Sequence, residues 1–468
     1  MRSPDLAQPL VSTRTAAWRT LAISSLATLA TFLDTTILFV AFSDITRSFS
    51  SASPASLSWV LNAYTIAFAA LLVPAGKTAD RIGHKLTFIA GSALFTVASV
   101  LCAVAPSVET LIVFRIVQAA GAAALLPSSL ALVLRAFPRE RIPVAVSVWG
   151  ATGAVAGAIG PTLGSALVEA ADWRWVFLIN LPVGIATMVT GWSWLTESKD
   201  ETTRIPSPAG VVLIASAASL IALGVVQTDT WGWIDWRSIG AVAAGAALLG
   251  VFVCNQARSE TPVIDLDLFR SANFRWANLA MIAFSVVFSA MLFGSILYLI
   301  NVWRWSVLEA GLGISPGPLL VAVLAPTFGR VATRTGQRPL IVAGGLLFAL
   351  GAVWRLAFLG TDPDYVTTYL PSMLFTGTGV ALCLPQLAGV VAQSLPANRF
   401  GVGGAVSQAT RQFGGTLGVA LAIAFMGQPA SIAEAVTSFE RIWWLMLAGG
   451  VLTAVLALRL QKGTAAIE

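Results

Sequence analysis

The chain has 468 residues, 57% of them hydrophobic and 11% charged, with a net charge of +6 and a mean hydropathy of +0.82. A soluble domain carries about 25% charged residues, so this composition excludes one and makes the bilayer the solvent. The positive balance needs no nucleic acid, because cytoplasmic loops of membrane proteins are basic. Cys102, Cys254 and Cys383 are far apart inside apolar runs and read as small buried residues, not as a disulfide or metal set.

The first apolar run begins near Leu21 and continues past Val40, too long for a signal h-region, so no cleavable signal peptide is expected. In chain order, membrane helices are predicted at 19–43, 55–75, 86–105, 109–134, 143–168 and 175–195; two follow at 208–227 and 237–254, flanked by Trp231, Trp233 and Trp236. After the polar connection from Asn255, six more are predicted at 276–300, 309–328, 339–359, 366–393, 402–427 and 438–459. Placing both termini in the cytoplasm puts 20 Lys and Arg inside. Six fall outside (Arg47, Arg174, Arg237, Arg304, Arg355 and Arg441) and two inside spans (Arg115 and Arg411). That bias follows the positive-inside rule, whereas thirteen spans would put the basic turns of the second half outside. The expected fold is an all-α integral membrane protein of fourteen transmembrane helices, six plus two plus six. Its parts are an N-terminal half over 1–196, two inserted helices within 197–256, and a connector with the C-terminal half over 257–468. A monomer in the cell (inner or plasma) membrane is expected.

Asp34, in LATFLDTTILFV, is a carboxylate inside the first helix with no basic neighbour in its own span. At 1.5 Å per residue it lies about 15 Å from Asp44, and Arg115 about 9 Å from Glu109, so a long arginine can cover the difference in depth. Between helices 2 and 3 the chain reads GKTADRIGHK from Gly76 to Lys85. Gly329–Arg338 repeats the spacing as GRVATRTGQR, with Thr333 where the first copy has Asp80. Both are expected to be short basic loops; Gly76 would let helix 2 approach a neighbour from the other half, Gly83 would allow a tight turn, and Asp80 would sit at a helix N-terminus. Arg115 is too deep in helix 4 to lack a partner or purpose, and Gln118, three residues on, shares its face. Gly150, Gly153, Gly157, Gly160 and Gly164 line one stripe of helix 5, which Pro161 interrupts.

These stretches resemble the major facilitator superfamily. Gly76, Asp80, Arg81, Gly83 and Lys85 resemble its signature turn, which by that resemblance latches the cytoplasmic side shut in the outward-facing state. Arg115 with Gln118 resembles its helix-4 motif, with Ala119 where glycine is usual. The helix-5 stripe, including Gly157, Gly160, Pro161 and Gly164, resembles its antiporter motif, with Ser165 replacing the last glycine. FLDTTI, WRWVFLINLPVG from Trp173 to Gly184, PVIDLDLF from Pro262 to Phe269, and GVGGAVSQATRQFGGTLGVA resemble the fourteen-helix drug:proton antiporter branch. The resemblance implies parallel six-helix halves and a site near the midplane. Further polar cavity candidates are Asn62, Tyr64, Asn301, Gln386, Gln408, Arg411 and Gln412; Arg411 reads either as part of an inner gate or as a snorkelling side chain.

No phosphate-binding glycine loop, metal-ligand cluster or nucleophile constellation appears, so neither an enzyme nor a cofactor is expected. The function the resemblance implies is proton-coupled export of lipophilic small molecules, with Asp34 carrying the proton and Arg115 as its partner. Because Asp34 is the one deep carboxylate, neutral or monocationic substrates are expected. An exporter of one native metabolite or lipid, and a non-transporting scaffold or sensor, are the competing readings.

Overall fold

The computed structural model describes residues 14–138, 141–199, 206–395, 400–427, 429 and 431–461. Both termini lie outside these. Long helices account for nearly all of the described chain, since a backbone in hydrocarbon must satisfy its polar groups within the segment. The first six are α1 (Arg14–Ser48), α2 (Pro54–Ile82), α3 (His84–Ala103), α4 (Val108–Ala136), α5 (Ile142–Ala170) and α6 (Trp175–Trp194, broken at Ile179). The inserted pair is α7 (Pro208–Val226) and α8 (Trp236–Arg258). The last six are α9 (Ala272–Asn301), α10 (Val307–Thr335, broken at Ser315), α11 (Gln337–Phe358), α12 (Tyr365–Gln393), α13 (Phe400–Met426) and α14 (Ile432–Ala457).

Among the described residues, twelve helices are long and apolar enough to cross a membrane, and the two arms of α5 make a thirteenth. Those arms meet at 44° around residue 158. Pro161 supplies the cause, because it has no N–H for the Gly157 carbonyl four residues back. The remaining helix, α13, carries Gln408, Arg411 and Gln412 in its inner part and is not among the twelve.

The basic segments are not loops. Helix α2 runs through Ile82 and α3 begins at His84, so Gly83, at φ 120°, is the whole turn; Gly336, at φ 78°, is its counterpart between α10 and α11. The end bearing these two glycines is called the inner end below. At the other end, serines cap the helices: Ser53 accepts from Ser56 N, Ser107 from Thr110 N and Ser431 from Glu434 N, while Ser306 and Glu309 form a capping box.

The halves meet at the outer end. Leu308 N of α10 donates to Glu169 Oε2 of α5 at 3.1 Å, the Thr162 and Ser315 hydroxyls lie 2.5 Å apart, and Phe293 of α9 packs on Phe42 of α1 with ring centroids 5.1 Å apart. Toward the inner end, Gly150 and Gly157 of α5 and Gly329 of α10 face open space. Helices α7 and α8 pack together where Gly224 and Gly245 admit Val242 and Ile221, and α7 lies against both α2 and α13. The connector after α8 forms a 3-10 turn at Leu266–Arg270 that buries Val263 and Leu268. The Gln256 side chain accepts from Val263 N at 2.5 Å, and Lys77 donates to Pro262 O at 2.6 Å.

Candidate functional site

Asp34 is 3% exposed, halfway along α1, and Arg115 of α4 is 1% exposed. Arg115 Nη1 lies 2.5 Å from Asp34 Oδ2, so the two deep charges form an ion pair between helices. The other carboxylate oxygen accepts from two amides, Gln118 Nε2 at 2.8 Å and Asn180 Nδ2 of α6 at 3.2 Å. Both amides also reach Ser99 Oγ of α3, at 2.6 and 3.0 Å. Arg115 is held further by Gln118 Oε1 at 2.6 Å, by the Val60 carbonyl of α2 at 3.2 Å, and by the Tyr64 ring, 4.0 Å away. Three helices, α1, α4 and α6, therefore meet on one carboxylate, and α3 joins them through Ser99 and the two amides. A buried ion pair offsets its desolvation only when its remaining hydrogen-bonding positions are filled, and here Gln118, Asn180, Val60 and Tyr64 fill them.

Among the cavity candidates, Gln118 and Tyr64 belong to this cluster. Asn62 lies about 200° round α2 from Tyr64, on the side where Thr65 meets Thr416 of α13 at 2.5 Å, and its buried amide has no hydrogen-bond partner among the described residues. Gln386 is buried on α12 and Gln412 half-buried on α13. Asn301 is exposed in the last turn of α9. Gln408 and Arg411 line a cavity of about 130 Å³ facing α9 and α12. Arg411 is half-buried. Its Nε is buried without a hydrogen-bond partner, and its guanidinium lies 5.6 Å from the Phe32 ring of α1.

The signature turn needs two corrections. Gly76 approaches Pro127 of α4 in its own half, not a helix of the other half. The acid at the α3 N-terminus is Glu197, whose carboxylate accepts from Lys85 N and Leu86 N, each at 3.0 Å; Asp80 pairs with His84 at 3.2 Å. A Cβ on Gly83 would strike that carboxylate, so the turn and the cap are built around each other. Arg81 is exposed, and Lys85 lies over the Trp192 ring at 5.8 Å. On α5, Gly160 and Gly164 leave room for Thr36 and Ile37 of α1, whereas Gly157 meets nothing.

Three residues escaped the sequence reading. Ser99 and Asn180 complete the Asp34 cluster, and Asn180, an amide in an apolar span, was the available signal for it. Arg355, expected outside, is 2% exposed within the second half. It donates to Ser295 Oγ of α9 at 2.7 Å and Ser372 Oγ of α12 at 3.1 Å, and lies over the rings of Trp443 (4.5 Å) and Tyr369 (5.2 Å). Its position three residues before the end of α11 made it look like a loop residue, but the π turn Tyr365–Tyr369 folds over it.

Comparison with known proteins gives relatives along most of the chain. The tetracenomycin C resistance and export protein of Streptomyces glaucescens is 33% identical over 86% of this chain and 75% of its own length. The multidrug resistance protein Stp of Mycobacterium tuberculosis is 32% identical over 86% and 74%. The cephamycin export protein CmcT of Amycolatopsis lactamdurans is 33% identical over 90% and 89%. Among solved structures, a POT family transporter in complex with 5-aminolevulinic acid superposes with a TM-score of 0.70 at 14% identity, over 97% of this chain and 99% of its own. A D-xylose-proton symporter does so at 0.69 and 14%, over 94% and 97%. The family profile described as Major Facilitator Superfamily matches residues 24–419 and again 279–464. The chain is a multi-pass membrane protein and belongs to the major facilitator superfamily.

Proposed function

We propose that the protein is a proton-coupled exporter of lipophilic small molecules in the cytoplasmic membrane, with Asp34 carrying the proton. The observation behind this reading is one carboxylate, buried in the middle of α1, matched in charge by one guanidinium and bonded to two neighbouring helices, α4 and α6. The names of the relatives, all resistance or export proteins, give the direction of transport.

Ionised Asp34 ties α1 to α4 and α6. Protonation removes its charge, and Arg115 keeps the Val60 carbonyl, Gln118 Oε1 and the face of Tyr64 as α1 is released. Helix α1 bears on α5 through Thr36, whose hydroxyl donates to Ala156 O at 3.3 Å and whose side chain fills the space left by Gly160. The outer arm of α5 makes the contacts to α10 that close the outer end. A proton at Asp34 thus loosens the element that supports the outer closure, which is what alternating access between two conformers requires.

We read α13 as a fourteenth span, since it lies along α9 with Gly414 and Gly418 against Ile282 and Val286. That gives six plus two plus six, with both termini in the cytoplasm and the divisions 1–196, 197–256 and 257–468. Two of the relatives are named for single antibiotics, which favours a second reading with a narrow substrate range.

The test is reconstitution into proteoliposomes with an imposed pH gradient and a panel of lipophilic dyes and antibiotics. Gradient-driven movement by the wild type and none by Asp34→Asn is the expected result. Movement that ignores the gradient would remove proton coupling, and no movement of any compound would remove the exporter reading.

A further inference from the structure

The 130 Å³ cavity on α13 is walled by apolar side chains, Met281 of α9 and Leu384 and Val391 of α12, with three polar residues on its α13 side: Ser407, Gln408 and Arg411. Two of its donors, Gln408 Nε2 and Arg411 Nε, are buried and have no hydrogen-bond partner among the described residues. No carboxylate lines the cavity, and among the described residues none pairs with Arg411. This is the opposite of Arg115, whose charge is matched, and of Arg355, whose donors are taken by hydroxyls.

Arg411 is half-buried with its Nε out of reach of water, and a guanidinium so placed without a counter-ion among the described residues is costly, as is each buried donor without an acceptor. Such an arrangement persists where a ligand supplies what is missing. Positive charge, two free N–H groups and a Ser407 hydroxyl beside them ask for an anion with at least two acceptor oxygens. Size narrows it further. At about 130 Å³ the cavity suits a carboxylate or sulfonate and lies below the ≈ 300–1,000 Å³ of pockets that enclose whole ligands. The Phe32 ring against Arg411 gives the ligand's apolar body a surface on α1, two residues from Asp34.

We propose that this cavity is a subsite for the acidic group of an amphipathic substrate, with Arg411 as counter-ion and Gln408 as second donor. The proposal rests on the exporter reading for its purpose, and it shifts the expected substrates from neutral or monocationic compounds toward lipophilic acids. Asp34 and Arg411 then hold opposite tasks: one takes the proton, the other the substrate anion.

Binding separates the two readings. The probe is a matched set of dansyl compounds that differ at one position, carrying a carboxylate, its primary amide or a trimethylammonium, titrated by fluorescence into the full-length protein in nanodiscs. The carboxylate should bind about tenfold tighter than the amide (~1.4 kcal/mol), Arg411→Gln should remove that preference, and Arg411→Lys should keep most of it. Loss of the preference in the Gln variant with retention in the Lys variant also excludes general misfolding as the cause. Equal binding of acid and amide, no binding of the acid, or an undiminished preference in Arg411→Gln overturns the subsite. Transport of the same compounds is measured separately in vesicles. A wild type that binds the acid selectively yet moves none of the set would sink the exporter reading and leave the subsite standing.

Discussion

In the first half, Arg115 meets Asp34 where α1, α3, α4 and α6 cross; in the second, Arg355 meets two serine hydroxyls and two aromatic faces where α9, α11, α12 and α14 cross. The repeat relates the two sites. The basic turns are 253 residues apart, and that offset carries Cys102, beside Gln118, onto Arg355; counted from the caps Ser107 and Asp364, Arg115 falls on Ser372. Each half has kept a buried guanidinium in the same four-helix joint and placed it on a different helix. The partners differ in kind. A carboxylate can take a proton, so the first joint can be undone by a single ionisation. Hydroxyls and rings do not titrate near neutral pH, so the second is permanent. Its stabilisation comes to about 2 kcal/mol from each desolvated ring and about 1.5–3 kcal/mol from each hydrogen bond to the charge, against a desolvation cost of several kcal/mol. One half is built to switch and the other to hold.

Breaking the switch should have the largest effect. Asp34→Asn retains the size and part of the hydrogen bonding, and should lower gradient-driven efflux at least about 100-fold, or about 2.7 kcal/mol, with insertion unchanged by protease protection. Next come the arginines themselves. Arg115→Met leaves a buried carboxylate without its counter-ion and should cost about 3–5 kcal/mol in thermal unfolding of the purified protein. Arg355→Met strands no charge and should stay within about 1.5 kcal/mol, keeping gradient-driven efflux; equal losses in the two variants would erase the distinction between the joints.

Smaller effects should come from the turns. Gly83→Ala forces a positive φ and a clash with Glu197, and should cost about 2–3 kcal/mol, whereas Gly336→Ala meets open space and should cost about 1 kcal/mol. Smallest of all, Asp80→Asn should slow turnover without weakening substrate binding, because Asp80 acts at the inner end, away from the Asp34 cluster. Cysteine accessibility from each side would report the altered balance of conformers, and an unchanged pattern would count against a latch.

Much of this was legible in the chain. Apolar runs gave the helices because span length is fixed by the bilayer, and lone charges in oil gave Asp34 and Arg115 because such charges need partners. The basic turns were found by their repeat but read as loops, since no local signal distinguishes a charged helix end from a loop when a single glycine makes the turn. Ser99 and Asn180 were missed because uncharged polar residues are common in spans and only three-dimensional crossing shows which ones converge. Arg355 was misplaced by the assumption that an arginine near a helix end reaches water; the turn at Tyr365–Tyr369 that covers it is a tertiary feature. Arg411 was identified as polar and deep, but its lack of a counter-ion emerges only from what surrounds it.

The central claim is that Asp34 holds the proton that substrate displaces. The direct measurement is proton release from the purified protein in a weakly buffered solution, followed by a pH indicator as an exported compound is added. The wild type and Arg355→Met should both release protons with the same stoichiometry, and Asp34→Asn none. Release from Asp34→Asn equal to that of the wild type would place the coupling proton on another group and contradict the account.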